Sequence, residues 1–274
     1  MENLLEKIKE TNEFLKKKID RTYKHGIILG SGLGNLTNEI SVHHKIPYTE
    51  IPNFPVSTVK GHGGSLIFGE LGGKNVVAMS GRFHFYEGYS IKEVTFPVRV
   101  MKAIGVETLL VSNASGGMNP NFEVGDLMII TDHIYLQPEH PLRGKNYEEL
   151  GPRFPNMNNA YNPTYVKKAL EIAKANDILC HTGVYVGVQG PTFETPSEYK
   201  MFNIIGGDAV GMSTTPEVVV ARHGGMEVFA ISVISDIGFP FDKADKVTHD
   251  FVLQKAAEAE PKMTKIIVEL LKHI

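Results

Sequence analysis

Arginine, histidine and tyrosine alternate in one short segment of the chain. Arg82, His84 and Tyr86 come directly after the apolar run of residues 76–79. Because side chains alternate along an extended backbone, these three would project from one face. Arginine offers a planar fork of donors to phosphate oxygens, and histidine exchanges a proton near neutral pH. The spacing predicts an anion site; the alternative is an exposed strand end with incidental polar residues.

A glycine-rich turn precedes this segment. The sequence GSGLG, residues 30–34, follows the apolar run GIIL and places Ser31 between two glycines. Backbone amides and a hydroxyl in such a turn suit a phosphate, and a purely structural turn fits the same residues equally well. Asn35 stands where a dinucleotide-binding fingerprint requires its third glycine. The turn therefore favours a phosphate over a dinucleotide.

Phe193 and Glu194 are adjacent after a later apolar run. An aromatic ring beside a carboxylate suits a flat heterocycle with N–H donors, since one stacks and the other accepts hydrogen bonds. The next residues, TPSE, read as a helix start with a threonine cap, a first-turn proline and an acidic residue. Glu194 is consequently a candidate base anchor, a helix-entry residue, or both.

Other candidate site residues also follow apolar runs. This placement is the usual arrangement of an active site at the carboxyl ends of strands in an α/β protein. The residues concerned are Ala114 in the segment SNASGGMN, which we interpret as a turn, Met212 and Ser213, Ser235 and Asp236, and His249 at the start of the last predicted helix.

Periodicity predicts an α/β architecture with a mostly central sheet. Short apolar runs predict buried strands at 26–29, 76–79, 109–111, 127–130, 184–188 and 228–234. Helical patterns cover an amphipathic stretch near the N-terminus and residues 91–104, 164–175, 196–204, 216–222 and 247–273. Residues 133–163 show little periodicity, which in a compact domain indicates a functional or interface loop.

Composition limits the function classes. The 274 residues are 42% hydrophobic and show no linker, so we expect one domain over residues 1–274. A net charge of −3 disfavours nucleic acid as a partner. The single cysteine, Cys180, and the lack of a signal or membrane-spanning sequence favour a cytoplasmic protein. No histidine, cysteine or carboxylate motif predicts a metal, and no G-x-S-x-G elbow predicts a serine hydrolase.

Seven motifs together resemble the trimeric, low-molecular-mass purine nucleoside phosphorylases of the inosine and guanosine type. In chain order they are GSGLG, GHGGSLIFG, GRFHFYEGYS, SNASGGMN, GPTFETPSE, VGMSTTPEV and ARHGGM. The resemblance implies a mixed sheet partly closed into a barrel and flanked by helices. It also implies a homotrimer that cleaves purine nucleosides with inorganic phosphate as co-substrate and without an organic cofactor.

Carried over motif by motif, the resemblance implies three groups of site residues, with His84, Glu194 and Asp236 as the catalytic ones. The phosphate group comprises Ser31, His62, Arg82, His84, Ala114 and Ser213. The ribose group comprises Tyr86, Met212 and His249. The purine group comprises Tyr185, Phe193, Glu194, Ser235 and Asp236.

Two positions depart from the family pattern. Leu150 stands where some members lend an aromatic residue to a neighbouring subunit's sugar site. Asp236 stands where many members have asparagine for the purine N7 and O6 positions. An ionised aspartate can only accept hydrogen bonds, so either it is protonated or the site tolerates a 6-amino group.

Asp236 therefore leaves a methylthioadenosine or adenosine phosphorylase as the nearest alternative. His249 argues against a methylthio substrate because the resemblance pairs it with a 5′-hydroxyl. A nucleoside hydrolase, which uses water, would not need the anion site. A purine-binding protein without catalysis remains an alternative from another class.

Overall fold

The computed structural model describes residues 4–56, 64–241 and 247–274. Nine of its strands form one mixed sheet in the order β2-β3-β4-β1-β5-β8-β7-β6-β9. They are β1 (His25–Ile28), β2 (Ser41–Pro47), β3 (Ser65–Leu71), β4 (Lys74–Ser80), β5 (Thr108–Gly117), β6 (Leu127–Tyr135), β7 (Cys180–Gly187), β8 (Ala209–Gly211) and β9 (Glu227–Ile237). Each predicted strand is confirmed, whereas β2, β3 and β8 were not predicted.

The sheet closes on itself at one end. Strand β9 pairs with β6 and also with β5, so that β5, β8, β7, β6 and β9 form a ring of five strands. The remaining strands extend from β5 as an open sheet, beginning with the parallel pairs β5–β1 and β1–β4. This confirms the mixed sheet partly closed into a barrel. The carboxyl ends of β1, β4, β5 and β9 consequently lie along the same edge.

Seven α-helices surround the sheet within the described residues. They are α1 (Leu4–Lys16), α2 (Ile91–Val94), α3 (Phe96–Ala103), α4 (Pro163–Ala175), α5 (Pro196–Ile204), α6 (Thr215–His223) and α7 (His249–Leu271). The helix predicted over 91–104 is divided at Thr95, whose hydroxyl bonds the Ile91 carbonyl at 2.8 Å. Pro97, in the first turn of α3, has no amide to continue the helical ladder.

Apolar side chains pack on both faces of the sheet, which explains why its strands are continuous apolar runs. Neighbouring residues of β1 belong to different core clusters: Ile28 packs with Val77 and Val111, and Ile27 packs with Ala78. Helix α7 covers the second of these faces. None of the helices in the described ranges is long and apolar enough to span a membrane.

The glycine-rich turn is fixed against α7. Buried Glu260 of α7 accepts hydrogen bonds from the Leu36 amide at 3.0 Å and from the Asn35 amide group at 2.8 Å. Gly32 has a φ of +74°, and a Cβ there would lie 2.9 Å from the Ala256 Cβ. Only glycine fits both conditions without strain. The turn and the first residues of α7 are thereby held side by side.

The segment SNASGGMN corrects one prediction. The sequence predicts a turn here after a three-residue strand, yet Ala114 and both glycines lie inside β5, which continues to Gly117. The strand is long because its pairing with β9 continues to the register pair Gly117 and Ile237. Glycine has low strand propensity, so the tertiary pairing overrides the local signal.

Candidate active site

The strand ends meet in one open cleft, which is the usual place of a small-molecule site in an α/β protein. Residues from the turn after β1, the loop after β4, the barrel strands and the start of α7 line it together. Of the sequence-predicted residues, it is lined by Ser31, Arg82, His84, Tyr86, Ala114, Phe193, Glu194, Met212, Ser213, Ser235, Asp236 and His249.

Arg82 anchors one end of the cleft and is only 1% exposed. One terminal nitrogen, Nη1, donates to the Ser213 hydroxyl at 2.7 Å and to the Thr214 hydroxyl at 3.2 Å. The other, Nη2, donates to the Ser112 carbonyl at 2.6 Å and the Ile28 carbonyl at 3.4 Å. These contacts fix the guanidinium plane before any ligand enters.

A carboxylate lies behind this guanidinium. Glu217 in the first turn of α6 is 2% exposed, and its Oε1 lies 3.6 Å from Arg82 Nε. Burying an arginine requires such a partner, because an isolated charge in a low-dielectric interior costs several kcal/mol. Glu217 therefore balances the Arg82 charge on the Nε side, and the terminal N–H groups of Arg82 point toward the cleft wall.

His84 and Tyr86 enter the cleft differently from the predicted extended segment. Phe85–Glu87 is a 3₁₀ turn, so strict alternation ends at His84, and the two rings stack with centroids 4.7 Å apart. His84 Nδ1 lies 3.2 Å from Glu87 Oε1. Because a carboxylate oxygen accepts, the neutral ring carries its proton on Nδ1 and presents Nε2 as an acceptor. Burial lowers the pKa of His84, which favours this neutral form.

Thr214 has an unusual backbone conformation next to these groups. Its φ of +67° is sterically unfavourable for a β-branched residue. Its hydroxyl accepts from Asn113 Nδ2 at 2.8 Å as well as from Arg82. The strained residue, held by two buried donors, orients Ser213 toward the Arg82 side of the cleft.

A β-bulge shapes the opposite end. In the β5–β9 pairing, Ser115 is opposite Ile234 and Gly116 is opposite Asp236, so β9 has one extra residue, Ser235. Adjacent strand residues normally point to opposite faces, whereas here Ser235 and Asp236 both line the cleft. Ser235 donates to Asp236 Oδ1 at 2.7 Å.

Glu194 lies near this carboxylate, just before the cap of α5. Thr195 caps the helix and Glu198 completes a capping box, so the interpretation of TPSE as a helix start is confirmed. Glu194 itself takes no part in this cap. Burial raises the pKa of Glu194 to about 7, and the nearby Asp236 carboxylate adds to the rise. Glu194 is therefore a carboxyl group that changes charge near neutral pH.

Comparisons with known proteins identify the family. The sequence model of the Phosphorylase superfamily matches residues 24–272. The purine nucleoside phosphorylase 1 of Geobacillus stearothermophilus is 49% identical over 267 residues, which cover 97% of each chain. This chain belongs to the purine nucleoside phosphorylases. The crystal structure of the Schistosoma mansoni purine nucleoside phosphorylase with adenosine is 44% identical, covers 98% of this chain and 97% of its own chain, and has a TM-score of 0.93. The structure of that phosphorylase with inosine is also 44% identical, covers 98% of this chain and 96% of its own chain, and has a TM-score of 0.91.

Among the described candidate residues of this phosphorylase, Tyr185 does not line the cleft. Tyr185 is fully buried beneath it, where its hydroxyl accepts the Ser213 amide at 3.4 Å, so it supports the cleft floor instead of facing a base. His62 lies outside the described residues. Sequence reasoning also missed Tyr199 of α5, which lines the cleft; its position in a helix gave no signal of this.

The Arg82–Glu217 pair predicts separable effects on stability and anion binding in the phosphorylase. Arg82→Ala leaves the Glu217 charge buried without its partner and should lower the free energy of unfolding by about 3–5 kcal/mol. The double variant Arg82→Met/Glu217→Leu should recover most of this stability in urea unfolding. Calorimetry should still show phosphate binding weakened by roughly 10- to 100-fold, because a charge-assisted donor is absent. If the double variant binds phosphate as tightly as the wild type, Arg82 does not contribute to the anion site.

Proposed function

We propose that this chain catalyses the reversible phosphorolysis of purine (deoxy)ribonucleosides, a step of purine salvage. A phosphate oxygen bonds to C1′ while the C1′–N9 bond breaks, and the purine leaves with the bonding electrons. The products are the free base and (deoxy)ribose 1-phosphate. The observation that carries this proposal is one cleft with hydroxyl, guanidinium and imidazole groups at one end and two carboxyl groups at the other.

The phosphate is assigned to the end that contains Arg82. Neutral contacts come from the hydroxyls of Ser31 and Ser213 and from the Ala114 backbone. Nε2 of the neutral His84 ring accepts a hydrogen bond from the O–H of a monoprotonated phosphate. The resemblance adds His62 to this group. Phosphate is thus the co-substrate, and no organic cofactor takes part. Its negative charge next to C1′ stabilises the cationic sugar of the transition state.

The sugar and base occupy the remainder of the cleft. We assign Tyr86, Met212 and His249 to the ribose. The resemblance pairs His249, at the exposed start of α7, with the 5′-hydroxyl. Phe193 stacks on the purine. Glu194 in its ionised form accepts from the N1–H of a 6-oxopurine, and this contact strengthens as negative charge develops on the leaving base.

Inosine and guanosine are the proposed main substrates, because the motifs match that branch of the family. The Schistosoma mansoni relative has been crystallised with adenosine as well as inosine. Asp236 favours the same breadth here, since an acceptor at this position suits a 6-amino group. The family name of the relatives favours this function over a dedicated methylthioadenosine phosphorylase.

We also propose that the active enzyme is a homotrimer in which a loop aromatic completes the neighbouring sugar site. Leu150 does not suit this role, because it packs against the main core cluster. Phe154, four residues later, is 87% exposed and lies under the Arg153 guanidinium. An aromatic side chain so exposed on an interface loop supports Phe154 as the lent residue.

A product assay with inosine tests the function. In phosphate buffer the protein should release hypoxanthine and an equal amount of ribose 1-phosphate. In a buffer without phosphate, release of hypoxanthine should fall to background. Release of free ribose at an undiminished rate would instead make the protein a hydrolase, and binding without any product would make it a purine-binding protein.

The pKa of Glu194 predicts a pH dependence. Below about pH 7 the carboxyl is protonated and accepts N1–H only through an uncharged, weaker carbonyl oxygen, so kcat/KM for inosine should fall as the pH decreases through this value. Phosphate and His84 titrate as well, which requires a matched control. Glu194→Gln keeps these titrations and removes its own, so the ratio of wild-type to variant kcat/KM should rise with pH and level off above about 7. A flat ratio would contradict the assignment of Glu194 to N1.

Asp236→Asn tests whether this residue reads the 6-position. Asparagine offers a donor to O6 and N7, so the variant should prefer inosine more strongly than the wild type does. The kcat/KM for adenosine should be higher in the wild type than in the Asp236→Asn variant. The deciding measurement is the ratio of kcat/KM for adenosine to that for inosine; the same ratio in both proteins would mean that Asp236 does not contact position 6.

A further inference from the structure

Tyr199 is a buried tyrosine at the base end of the cleft. It lies in α5, is 5% exposed, and packs with Met118, Phe202 and Val210. Its hydroxyl reaches the cleft wall and donates to Asp236 Oδ2 at 3.4 Å. The ring therefore packs in the hydrophobic core, whereas the hydroxyl lies at the end of the cleft proposed for the base.

Two backbone positions leave room for this ring. A Cβ at Gly116 would lie 2.8 Å from the Tyr199 hydroxyl and 3.0 Å from Asp236 Oδ2. A Cβ at Gly238 would lie 2.1 to 2.3 Å from three ring carbons. Side chains at either glycine would displace the tyrosine. The tyrosine is thus confined between the ends of β5 and β9, with its hydroxyl directed at one carboxyl oxygen.

The two oxygens of Asp236 face different hydroxyls. Ser235 donates to Oδ1 at 2.7 Å, and Tyr199 donates to Oδ2. Hydrogen bonds donated to a carboxylate favour its ionised form over its protonated form. Burial and the Asp236 charge raise the pKa of Tyr199 above its usual value, so the phenol keeps its proton and remains a donor.

We propose that the Tyr199 hydroxyl is a positioning group that fixes Asp236 as a hydrogen-bond acceptor for a purine N–H at position 6. The ligand class selected in this way is the 6-aminopurines and their nucleosides. The inference rests on the proposed function for its substrates. It adds that acceptance of adenosine depends on a pair of residues, Tyr199 and Asp236, instead of on Asp236 alone.

Tyr199 has a second carboxyl neighbour, which offers a different role. The Tyr199 hydroxyl also interacts with Glu194 and lowers the pKa of that carboxyl, against the larger effect of burial. A phenol has one proton and serves one acceptor at a time. If the proton served Glu194, its loss would change inosine use through N1 and would not depend on the residue at position 236.

Tyr199→Phe separates the hydroxyl from the ring, which keeps its place between the glycines. Without this donor, the Asp236 Oδ2 atom loses the contact that fixes its position, so the carboxylate fits the 6-amino group less well. The ratio of kcat/KM for adenosine to that for inosine should fall about three- to tenfold, the range expected for an ordinary hydrogen bond, because a distance of 3.4 Å is long for a charge-assisted one. The loss should lie mainly in KM for adenosine, because the N–H contact exists before the transition state.

Tyr161→Phe is the matched control. Tyr161 is a buried tyrosine whose hydroxyl bonds His133 Nδ1 at 2.9 Å, away from the residues that line the cleft. The Tyr161→Phe variant lacks a comparable buried hydroxyl and should leave the ratio of kcat/KM for adenosine to that for inosine unchanged. Tyr199→Phe should differ from it in the ratio, not in stability alone.

The decisive comparison repeats Tyr199→Phe in the Asp236→Asn background. The ratio should then not change further, because the carboxylate through which Tyr199 acts has been replaced by an amide. A change of full size in that background would overturn the proposal and assign the phenol to Glu194. Equal losses for both substrates in the single variant would overturn it in favour of a packing role.

A binding measurement keeps this inference separate from the proposed reaction. Calorimetry with adenine and hypoxanthine should show the same three- to tenfold fall in relative adenine affinity in Tyr199→Phe. This shift without any phosphate-dependent turnover would contradict the proposed function and leave the positioning role intact. Turnover with unchanged relative base affinity would contradict the positioning role alone.

Discussion

The buried guanidinium of Arg82 is the contact on which the cleft depends. It binds carbonyls at the end of β1 and within β5, two hydroxyls before α6, and the Glu217 carboxylate of α6. One side chain thus holds together segments that are far apart in the chain. Burying it is unfavourable unless all these partners are present, so the fold and the anion end of the cleft form together.

The carboxylate end is built by a different means. There the position of Asp236 is set by strand register, through the extra residue of β9 and the glycines of β5, instead of by a charged anchor. The two ends consequently differ in electrostatics: the end proposed for phosphate has an ion pair behind neutral donors, and the end proposed for the base has the Glu194 carboxyl, whose pKa burial raises to about 7. In the proposed binding mode, a nucleoside between them is polarised in the direction that bond cleavage requires.

Much of this was predictable from local sequence. Apolar runs located the buried strands, and polar residues after them, such as Ser31 and Ser213, predicted the cleft wall. Short strands such as β8 gave no signal, because three residues carry too little pattern. The continuation of β5 through two glycines, the bulge at Ser235 and the approach of Tyr199 depend on pairing between distant segments. The partner of Arg82, Glu217, lies 135 residues away in sequence and had no pattern to identify it.

The bulge in β9 has a consequence for how this protein can vary. Deleting Ser235 would remove the extra residue and leave Asp236 opposite Gly116, so the faces of Asp236 and Ile237 would not change. The pairing of Thr108–Ser115 in β5 with Glu227–Ile234 in β9 would also be unaffected. Such a deletion would therefore remove one cleft-lining side chain, together with the hydroxyl that donates to Asp236 Oδ1, and keep the rest of the strand pairing. The bulge thus allows the chain to gain or lose a polar group at this end of the cleft without a change of register.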